Sequence, residues 1–360
     1  LSLKANGWES TFEKFKPKEV EAITSPSIGD VIEVFIKQTK VSSSTARGYV
    51  TALRNVTAGI MGIEKDNSRY DYVNGGTDAW QAKVDSVQMS SITGAAVDEW
   101  MNSFVAQRTE EDFTKQRSSQ ISANSFLTCC RSVFGKKVIG AMRERLELSE
   151  SIPFDEATKF KIGKKKYESD VNIEKLISKA YRELRGIDQD QQWLIFLLSV
   201  GAGLRRGEVD VLIWDQIDFK KNVIDLTGTK YFKPKGTLGD VSIDPEMASA
   251  IAEYKKNSDS EFVIQSDIAP RFSTKSRTYR ADAHHKKLIL WLRANGMDTG
   301  KPMHDLRKEA GSRIYEKYGL MAASKFLRHG DVSTTADYYV NNSDDANTGF
   351  GGLLTGKETK

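Results

Sequence analysis

Met303-His304-Asp305-Leu306-Arg307 begins the part of this sequence that decides its fold. Two motifs follow, Leu-Arg-His-Gly at 327–330 and Ser-Thr-Thr-Ala-Asp-Tyr-Tyr at 333–339. On a helix, the i, i+3 spacing of His304 and Arg307 places both side chains on one face. A guanidinium, two imidazoles and a phenol in one window suit an anionic substrate that is attacked by a tyrosine. The motifs therefore predict a phosphodiester as the target.

Composition sets the class of protein around these motifs. The chain has 360 residues, 39% of them hydrophobic and 28% charged, which is typical of a globular protein with two domains. It lacks an apolar run of the ~18 residues that a membrane span needs, so a membrane is not an expected partner. The net charge of +4 is compatible with nucleic acid without establishing it. Adjacent Cys129 and Cys130 are poor disulfide partners, and a reducing intracellular compartment is expected.

Helical periodicity fills the first half of the chain. After an N-terminal extension over 1–26, apolar residues recur at helical spacing through 27–150, interrupted by a predicted loop over 66–78. One helix is expected from Gly94 and another from near Ser122 past Ile139. Basic residues flank the apolar faces, and either DNA contact or a solvated surface explains them. The candidates for DNA contact are Arg47, Arg54, Arg131 and Lys136.

A basic stretch then separates two domains. Residues 151–168 are predicted to be a linker, and Lys164, Lys165 and Lys166 are its candidates for crossing a phosphate backbone, although a solvated tether would look the same. A second domain is expected over 169–345, with a tail over 346–360. Its first helices lead to Gly203-Leu204-Arg205-Arg206-Gly207-Glu208, where an arginine stands at a glycine-flanked helix start.

Two short alternating segments follow and predict strands. They cover 222–226 and 239–243, and a lysine-rich tip lies between them. The tip carries Lys230, Lys233 and Lys235. Helical patterns resume over 245–254, 281–295 and 306–318.

Taken together, these motifs resemble the tyrosine recombinases, the phage-integrase type of DNA strand transferase. Gly-Leu-Arg-x-x-Glu appears at 203–208, His-x-x-Arg at 304–307, and Leu-x-His at 327–329 is followed by Tyr338. Each motif alone is weak, but their order and spacing are specific, and the resemblance spans about 27–345. It implies a mainly α fold with a small β-sheet. An all-helical, SAM-like core-binding domain and an α+β catalytic domain would form a clamp around DNA.

The resemblance also implies roles for individual residues. Arg205 and Arg307 would bind the scissile phosphate, while His304 and His329 would donate hydrogen bonds or shuttle the phenol proton. Tyr338 would attack phosphorus to give a 3′-phosphotyrosine, without a metal or other cofactor. Lys230 best matches the lysine that protonates the leaving oxygen. Lys235 is also a candidate for DNA contact.

Several alternatives stay open at this stage. Lys233 and Lys235 compete with Lys230, only spacing selects Tyr338 over Tyr339, and Arg328 stands where the family usually has glycine. The expected partner is double-stranded DNA, bound by a homotetramer on two sites that is a monomer or dimer off DNA. The protein would act in the cytoplasm, at the nucleoid. An inactive DNA-binding protein, a telomere resolvase or a topoisomerase-like enzyme would share the fold. His284 and His285 lack a third ligand, so no metal is expected.

Overall fold

The computed structural model describes residues 25–65, 76–110, 112–146, 148–163, 171–186, 189–231, 239–270 and 279–339. The chain divides into two compact units, Leu1–Gly163 and Lys164–Lys360. Lys164, Lys165, Lys166, Lys233 and Lys235 lie outside the described residues, as do the extension through residue 24 and the tail.

The described part of the first unit is helical, in agreement with the prediction. Its first helix begins where Ser27 and Asp30 form a reciprocal capping box, and its apolar face, including Ile28 and Phe35, is buried. The helices are α1 (Ile28–Gln38), α2 (Ser43–Ile60), α3 (Gly76–Asp85), α4 (Gly94–Thr109), α5 (Gln116–Val133), α6 (Lys136–Leu146) and α7 (Pro153–Glu156).

Two helix boundaries of this unit differ from the sequence-based expectation. Gly76–Asp85 is helical where a loop was expected to extend to residue 78, and the helix is held by burial of Trp80 and Val84. The single helix expected from near Ser122 is two helices. The chain leaves the first at Phe134 and the second begins after Gly135, so the apolar pattern continues across a break in the backbone.

Much of the stretch predicted to be linker packs into the first unit. Phe154 is 0% exposed, and its ring stacks on Phe134 with 5.6 Å between centroids. Arg131 donates to the carbonyl oxygens of Phe154 at 2.8 Å and Ala157 at 2.7 Å. Further along, Asn124 exchanges two hydrogen bonds of 2.9 Å with the backbone of Phe160. Residues 151–163 therefore pack against this unit, and Ile152, Phe154 and Ala157 belong to its core. The first unit ends at Gly163.

The second unit combines helices with a small sheet. Its helices are α8 (Ile173–Glu183), α9 (Asp190–Gly201), α10 (Arg206–Val209), α11 (Pro245–Lys256), α12 (Asp282–Ala294), α13 (Pro302–Phe326) and α14 (Val332–Tyr339). The strands are β1 (Ile217–Asp218), β2 (Val223–Asp225) and β3 (Asp240–Ser242), which pair antiparallel in the order β1-β2-β3. The predicted fold class, mainly α with a small sheet, is confirmed.

Helix α9 forms the centre of the second unit. It is apolar around most of its circumference, as expected of a helix that is covered on all sides. Leu194, Ile195 and Phe196 are buried in one core with residues of α11, α12 and α13 and with Ile224 and Val241 of the sheet. The helix ends at Gly201, and this end carries the 203–208 motif.

The helices that carry the C-terminal motifs differ in detail from the prediction. Helix α13 is longer than the expected 306–318 and runs from Pro302 to Phe326, with a kink at Gly319, whose φ is 82°. Helix α14 begins at Val332, and Asp331 caps it: the Asp331 carboxylate accepts from the Ser333 backbone N–H at 2.8 Å. The helix predicted to start in the 203–208 motif is the short helix α10, which ends at Val209.

Within the part of the chain that the structure describes, none of the helices has the length and apolar character needed to cross a bilayer.

The packing of Phe154 predicts that Phe154→Ala destabilises the first unit by about 3–5 kcal/mol, because truncation of a buried ring leaves a cavity. The measurement is urea unfolding of the full chain, followed by hydrogen exchange of peptides from each unit. Phe113→Ala is the matched control, since Phe113 is 76% exposed, and it is expected to change stability by less than about 0.5 kcal/mol. Equal effects of the two variants would contradict the packing described.

Candidate active site

Arg205 occupies the N-cap position of α10. Its backbone N–H donates to Glu208 Oε2 and its guanidinium to Glu208 Oε1, both at 2.8 Å. The guanidinium also approaches the carbonyl oxygens of Leu327 at 3.5 Å and Arg328 at 3.4 Å. Its side chain remains 36% exposed, so Arg205 is anchored on one side and accessible on the other.

Arg307 lies beneath this group, on α13, and is 2% exposed. Its guanidinium donates to the carbonyl oxygens of Gly203 and Leu327. Burial, followed by the charges of Arg205 and Arg328, lowers the pKa of Arg307 to about 9. The side chain therefore remains a cation at neutral pH and is held in one orientation by the backbone.

Gly203 needs to be a glycine at this position. Its φ is +57°, and a Cβ would lie 2.8 Å from the ring of Phe326. The close approach of backbone to Phe326 brings the Gly203 carbonyl to Arg307. Glycine at position 203 therefore allows the backbone conformation in which its carbonyl oxygen accepts from Arg307.

Arg328 is a third guanidinium of the site, which the sequence marked only as a departure from glycine. It is 5% exposed, and its backbone has φ of +50°. Its guanidinium donates to Glu208 Oε2 at 2.6 Å and to the Phe326 carbonyl at 3.2 Å. Burial raises the pKa of Glu208, but Arg328 and Arg205 outweigh that effect and hold the pKa below its ordinary value. Glu208 is therefore an anion shared by two arginines.

The two motif histidines lie beside the arginines. His329 Nδ1 bonds Thr335 Oγ1 of α14 at 2.8 Å, which leaves Nε2 for another partner. Burial, with the charges of Arg307 and Arg205, lowers the pKa of His329 to about 4. The His304 side chain is exposed, yet partial desolvation and the charges of Lys308 and Arg307 lower its pKa as well. Both imidazoles are therefore neutral near pH 7 and can donate or accept a proton.

The adjacent tyrosines of α14 have different environments. Tyr338 is 39% exposed, and the ammonium of Lys308 lies 5.7 Å from its ring centroid. Tyr339 is buried, stacks on Tyr315, and donates its phenol proton to the Lys308 carbonyl at 3.1 Å. Burial raises the pKa of Tyr339 above its ordinary value. Accessibility thus favours Tyr338 as the reactive phenol, in line with the spacing, and the raised pKa of Tyr339 disfavours ionisation of its phenol.

Lys230 lies beyond β2, and its described contacts are with Glu261 and Tyr231 rather than with the arginines. Its ammonium is 3.2 Å from Glu261 Oε1, and Tyr231 donates to the other oxygen of Glu261 at 2.7 Å. Hydrogen bonds with Tyr231 and Glu261 raise the pKa of Lys230. The Glu261 carbonyl accepts from the Trp214 N–H, which fixes this residue to the unit's core.

The candidates for DNA contact in the first unit fall into two groups. Arg54 forms a two-pronged pair with Asp85, at 2.8 and 2.6 Å, and also bonds Gln81. Arg131 is bound to backbone carbonyls, as described above. These contacts occupy both guanidiniums. The side chains of Arg47 and Lys136 are exposed to solvent.

The adjacent histidines of α12, His284 and His285, differ in burial. His285 is 0% exposed, and burial lowers its pKa to about 3, while the pKa of His284 is lowered by partial burial and by Lys287. Over the described ranges, no group of three or more His, Cys, Asp and Glu side chains is arranged to hold a metal ion.

The chain is similar to a known family in sequence and to known proteins in structure. Residues 169–345 match the model of the Phage integrase family. None of the curated proteins is significantly similar in sequence. The integrase of transposon Tn1549, in complex with a circular intermediate DNA, has a similar structure, with a TM-score of 0.56, 14% identity and coverage of 89% of this chain and 97% of that one.

Lambda integrase has a similar fold in two further structures. A dimer bound to a COC′ core site gives a TM-score of 0.56 at 12% identity and covers 89% of this chain and 96% of that one. A tetramer bound to a Holliday junction gives 0.55 at 13% identity, with coverage of 90% and 86%. At these identities the structures establish the shared fold, while the family match rests on the sequence.

Residues 169–345 are a domain of the phage integrase family, and the protein is a tyrosine recombinase. Its enzymatic class is that of site-specific recombinases, which break and rejoin DNA strands.

The burial of His329 predicts a pH dependence. Its ordinary pKa is 6.5 and its folded pKa about 4, so the unfolded chain binds the proton more readily between these values. The contribution of His329 to stability is therefore present above pH 6.5 and is lost as the pH falls toward 4. Histidine-selective NMR should give a His329 titration midpoint near 4, with the resonance assigned by its loss in His329→Gln. A midpoint at or above 6.5 would contradict the environment described.

Proposed function

We propose that this enzyme cleaves and rejoins duplex DNA at a specific site through a 3′-phosphotyrosine, with Arg205 and Arg307 binding the scissile phosphate. The observation that carries the proposal is the cluster of Arg205, Arg307 and Arg328 around the single carboxylate of Glu208. Because cations outnumber anions in this cluster, a phosphate would find an excess of positive charge in a largely desolvated setting.

The two phosphate-binding arginines have complementary positions. Arg205 has an exposed side chain that can reach a substrate, and Arg307 is held beneath it by two carbonyl oxygens. Guanidinium forks bind phosphate oxygens in pairs and keep their charge at working pH. The cluster therefore stabilises the charge that develops on the phosphate oxygens during attack.

Tyr338 is the proposed nucleophile. Its phenol oxygen attacks phosphorus, the bond to the 5′-oxygen breaks, and the phosphate remains joined to the tyrosine and to the 3′ end of the strand. The phenol proton passes to a neutral imidazole, His304 or His329, or these side chains act as donors to the phosphate. The ester bond is conserved in the intermediate, so rejoining requires neither a nucleotide nor a metal.

Lys230 is the proposed general acid for the leaving 5′-oxygen. Its raised pKa keeps it protonated, and Glu261 is its partner in the structure. Movement of the Lys230 ammonium from Glu261 to the DNA would place the proton on the leaving oxygen. Lys233 and Lys235 remain alternatives.

The first unit is proposed to be the core-binding domain, predicted over 27–150, and residues 151–163 of the predicted linker pack against it. The catalytic domain is proposed to cover 169–345. Exposed Arg47 and Lys136 support DNA contact by this unit. Arg54 and Arg131 are proposed to support the surface from within through their intramolecular bonds. Lys164, Lys165, Lys166 and Lys235 are retained as DNA contacts on the resemblance alone.

We further propose that the two domains form a clamp on DNA and that a homotetramer joins two sites, while the protein is a monomer or dimer off DNA. The tetramer of lambda integrase on a Holliday junction supports this assembly. The expected place of action is the cytoplasm, where the nucleoid supplies the substrate.

The central experiment uses a nicked duplex that traps the covalent intermediate. The core site is first recovered from a pool of random-sequence duplexes as the fragment that becomes covalently attached to the unaltered protein. On this substrate the unaltered protein and Tyr339→Phe should form an adduct stable to denaturing electrophoresis, and Tyr338→Phe should form none. Tyr339→Phe is the matched control, because the two phenols are adjacent and only one is accessible.

Two results would contradict the proposal. An adduct that persists in Tyr338→Phe and disappears in Tyr339→Phe would exchange the roles of the tyrosines. DNA binding by the unaltered protein without any adduct would instead indicate an inactive DNA-binding protein.

A further inference from the structure

We propose that Arg328 is a positioning residue: through Glu208 it fixes the orientation of Arg205 toward the scissile phosphate. The inference rests on the proposed role of Arg205 and adds a residue to the machinery that holds it.

The first support is the direction of the Arg328 side chain. It points into the protein, where it is 5% exposed, and its guanidinium is bound to Glu208 Oε2 at 2.6 Å and to the Phe326 carbonyl at 3.2 Å. Arg205, in contrast, binds the other carboxylate oxygen and keeps an exposed surface. The Arg328 guanidinium is thus bound to the carboxylate that Arg205 also binds, so Arg328 can act on Arg205 through Glu208.

The second support is the way in which Glu208 is fixed. Arg205 supplies one donor to each oxygen of the carboxylate, its guanidinium to Oε1 and its backbone N–H to Oε2. Arg328 adds a second, charged donor to Oε2 at 2.6 Å. This additional charge-assisted bond holds the carboxylate more firmly in one orientation, and with it the Arg205 guanidinium that binds the other oxygen.

The third support is the backbone at Arg328. Its φ of +50° is in the left-handed region, which is unfavourable for a residue with a Cβ. Glycine would adopt this conformation more readily, so local backbone energetics do not explain an arginine here. The turn also directs the carbonyls of Leu327 and Arg328 toward Arg205. A strained residue whose side chain is fully engaged at the active site indicates a function for that side chain.

The test is a double-variant cycle with Arg328→Gly and Glu208→Gln, alone and combined. The rate constant of adduct formation is measured at saturating protein on the selected nicked site, and half-site affinity is measured on native gels. Each single variant is expected to slow adduct formation by about 10- to 100-fold, as is usual when a supporting hydrogen-bond partner is lost. Because Arg328 acts through Glu208, the double variant should be no slower than the slower single variant.

Two further variants separate positioning from loss of folding. Arg328→Lys keeps one cation for Glu208 and should lie between Arg328→Gly and the unaltered protein in rate. Asn222→Gly is the control for backbone relief, since Asn222 is the other non-glycine residue with positive φ among the described residues, at 56°; it should leave the rate unchanged. Thermal midpoints of all variants identify any that are unfolded, and the Lys variant then decides the outcome.

The inference is overturned if Arg328→Gly forms the adduct at the unaltered rate, or if the two single effects multiply in the double variant. It is also overturned if Arg328→Gly weakens half-site binding as much as it slows the reaction, which would indicate direct phosphate contact. Failure of the unaltered protein to form any adduct would instead contradict the proposed function. This result is distinguishable, because it is observed before any variant is compared.

Discussion

The buried carboxylate of Glu208 joins the separate parts of this active site. It accepts from Arg205 at the start of α10 and from Arg328 after α13, so one anion ties together two distant segments of the chain. A buried carboxylate is costly unless it is paired and hydrogen-bonded. Its pairing with two arginines makes the ionised form the stable one and sets the geometry from which the guanidiniums face the substrate.

Backbone carbonyls complete the arrangement. Gly203 and Leu327 accept from the buried Arg307, and the left-handed turn at Arg328 brings further carbonyls near Arg205. Arginines held by neutral oxygens keep their full positive charge available for an anion. The same environment keeps His329 neutral, so the site contains both strong cations and groups able to exchange a proton.

Motif spacing was sufficient to predict the family, the mainly helical fold and the tyrosine that proves accessible. The 203–208, 304–307 and 327–329 motifs lie at helix ends, so each fixes the relative positions of its side chains over a few residues. The role of Arg328 could not be predicted, because its partner Glu208 is remote in sequence. Two further features also depend on tertiary contacts. The helix at 76–85 is stabilised by burial of Trp80 and Val84, and Phe154 packs on Phe134 in a stretch predicted to be a linker.

The most direct test of this account replaces one non-bridging oxygen of the scissile phosphate by a methyl group, which removes its negative charge. If Arg205 acts on that charge, Arg205→Ala should slow cleavage of the ordinary phosphodiester by about 10²–10³-fold. With the methylphosphonate, the same variant should lose most of that defect relative to the unaltered protein. An equal defect on both substrates would contradict the claim that the arginine cluster stabilises charge on the phosphate.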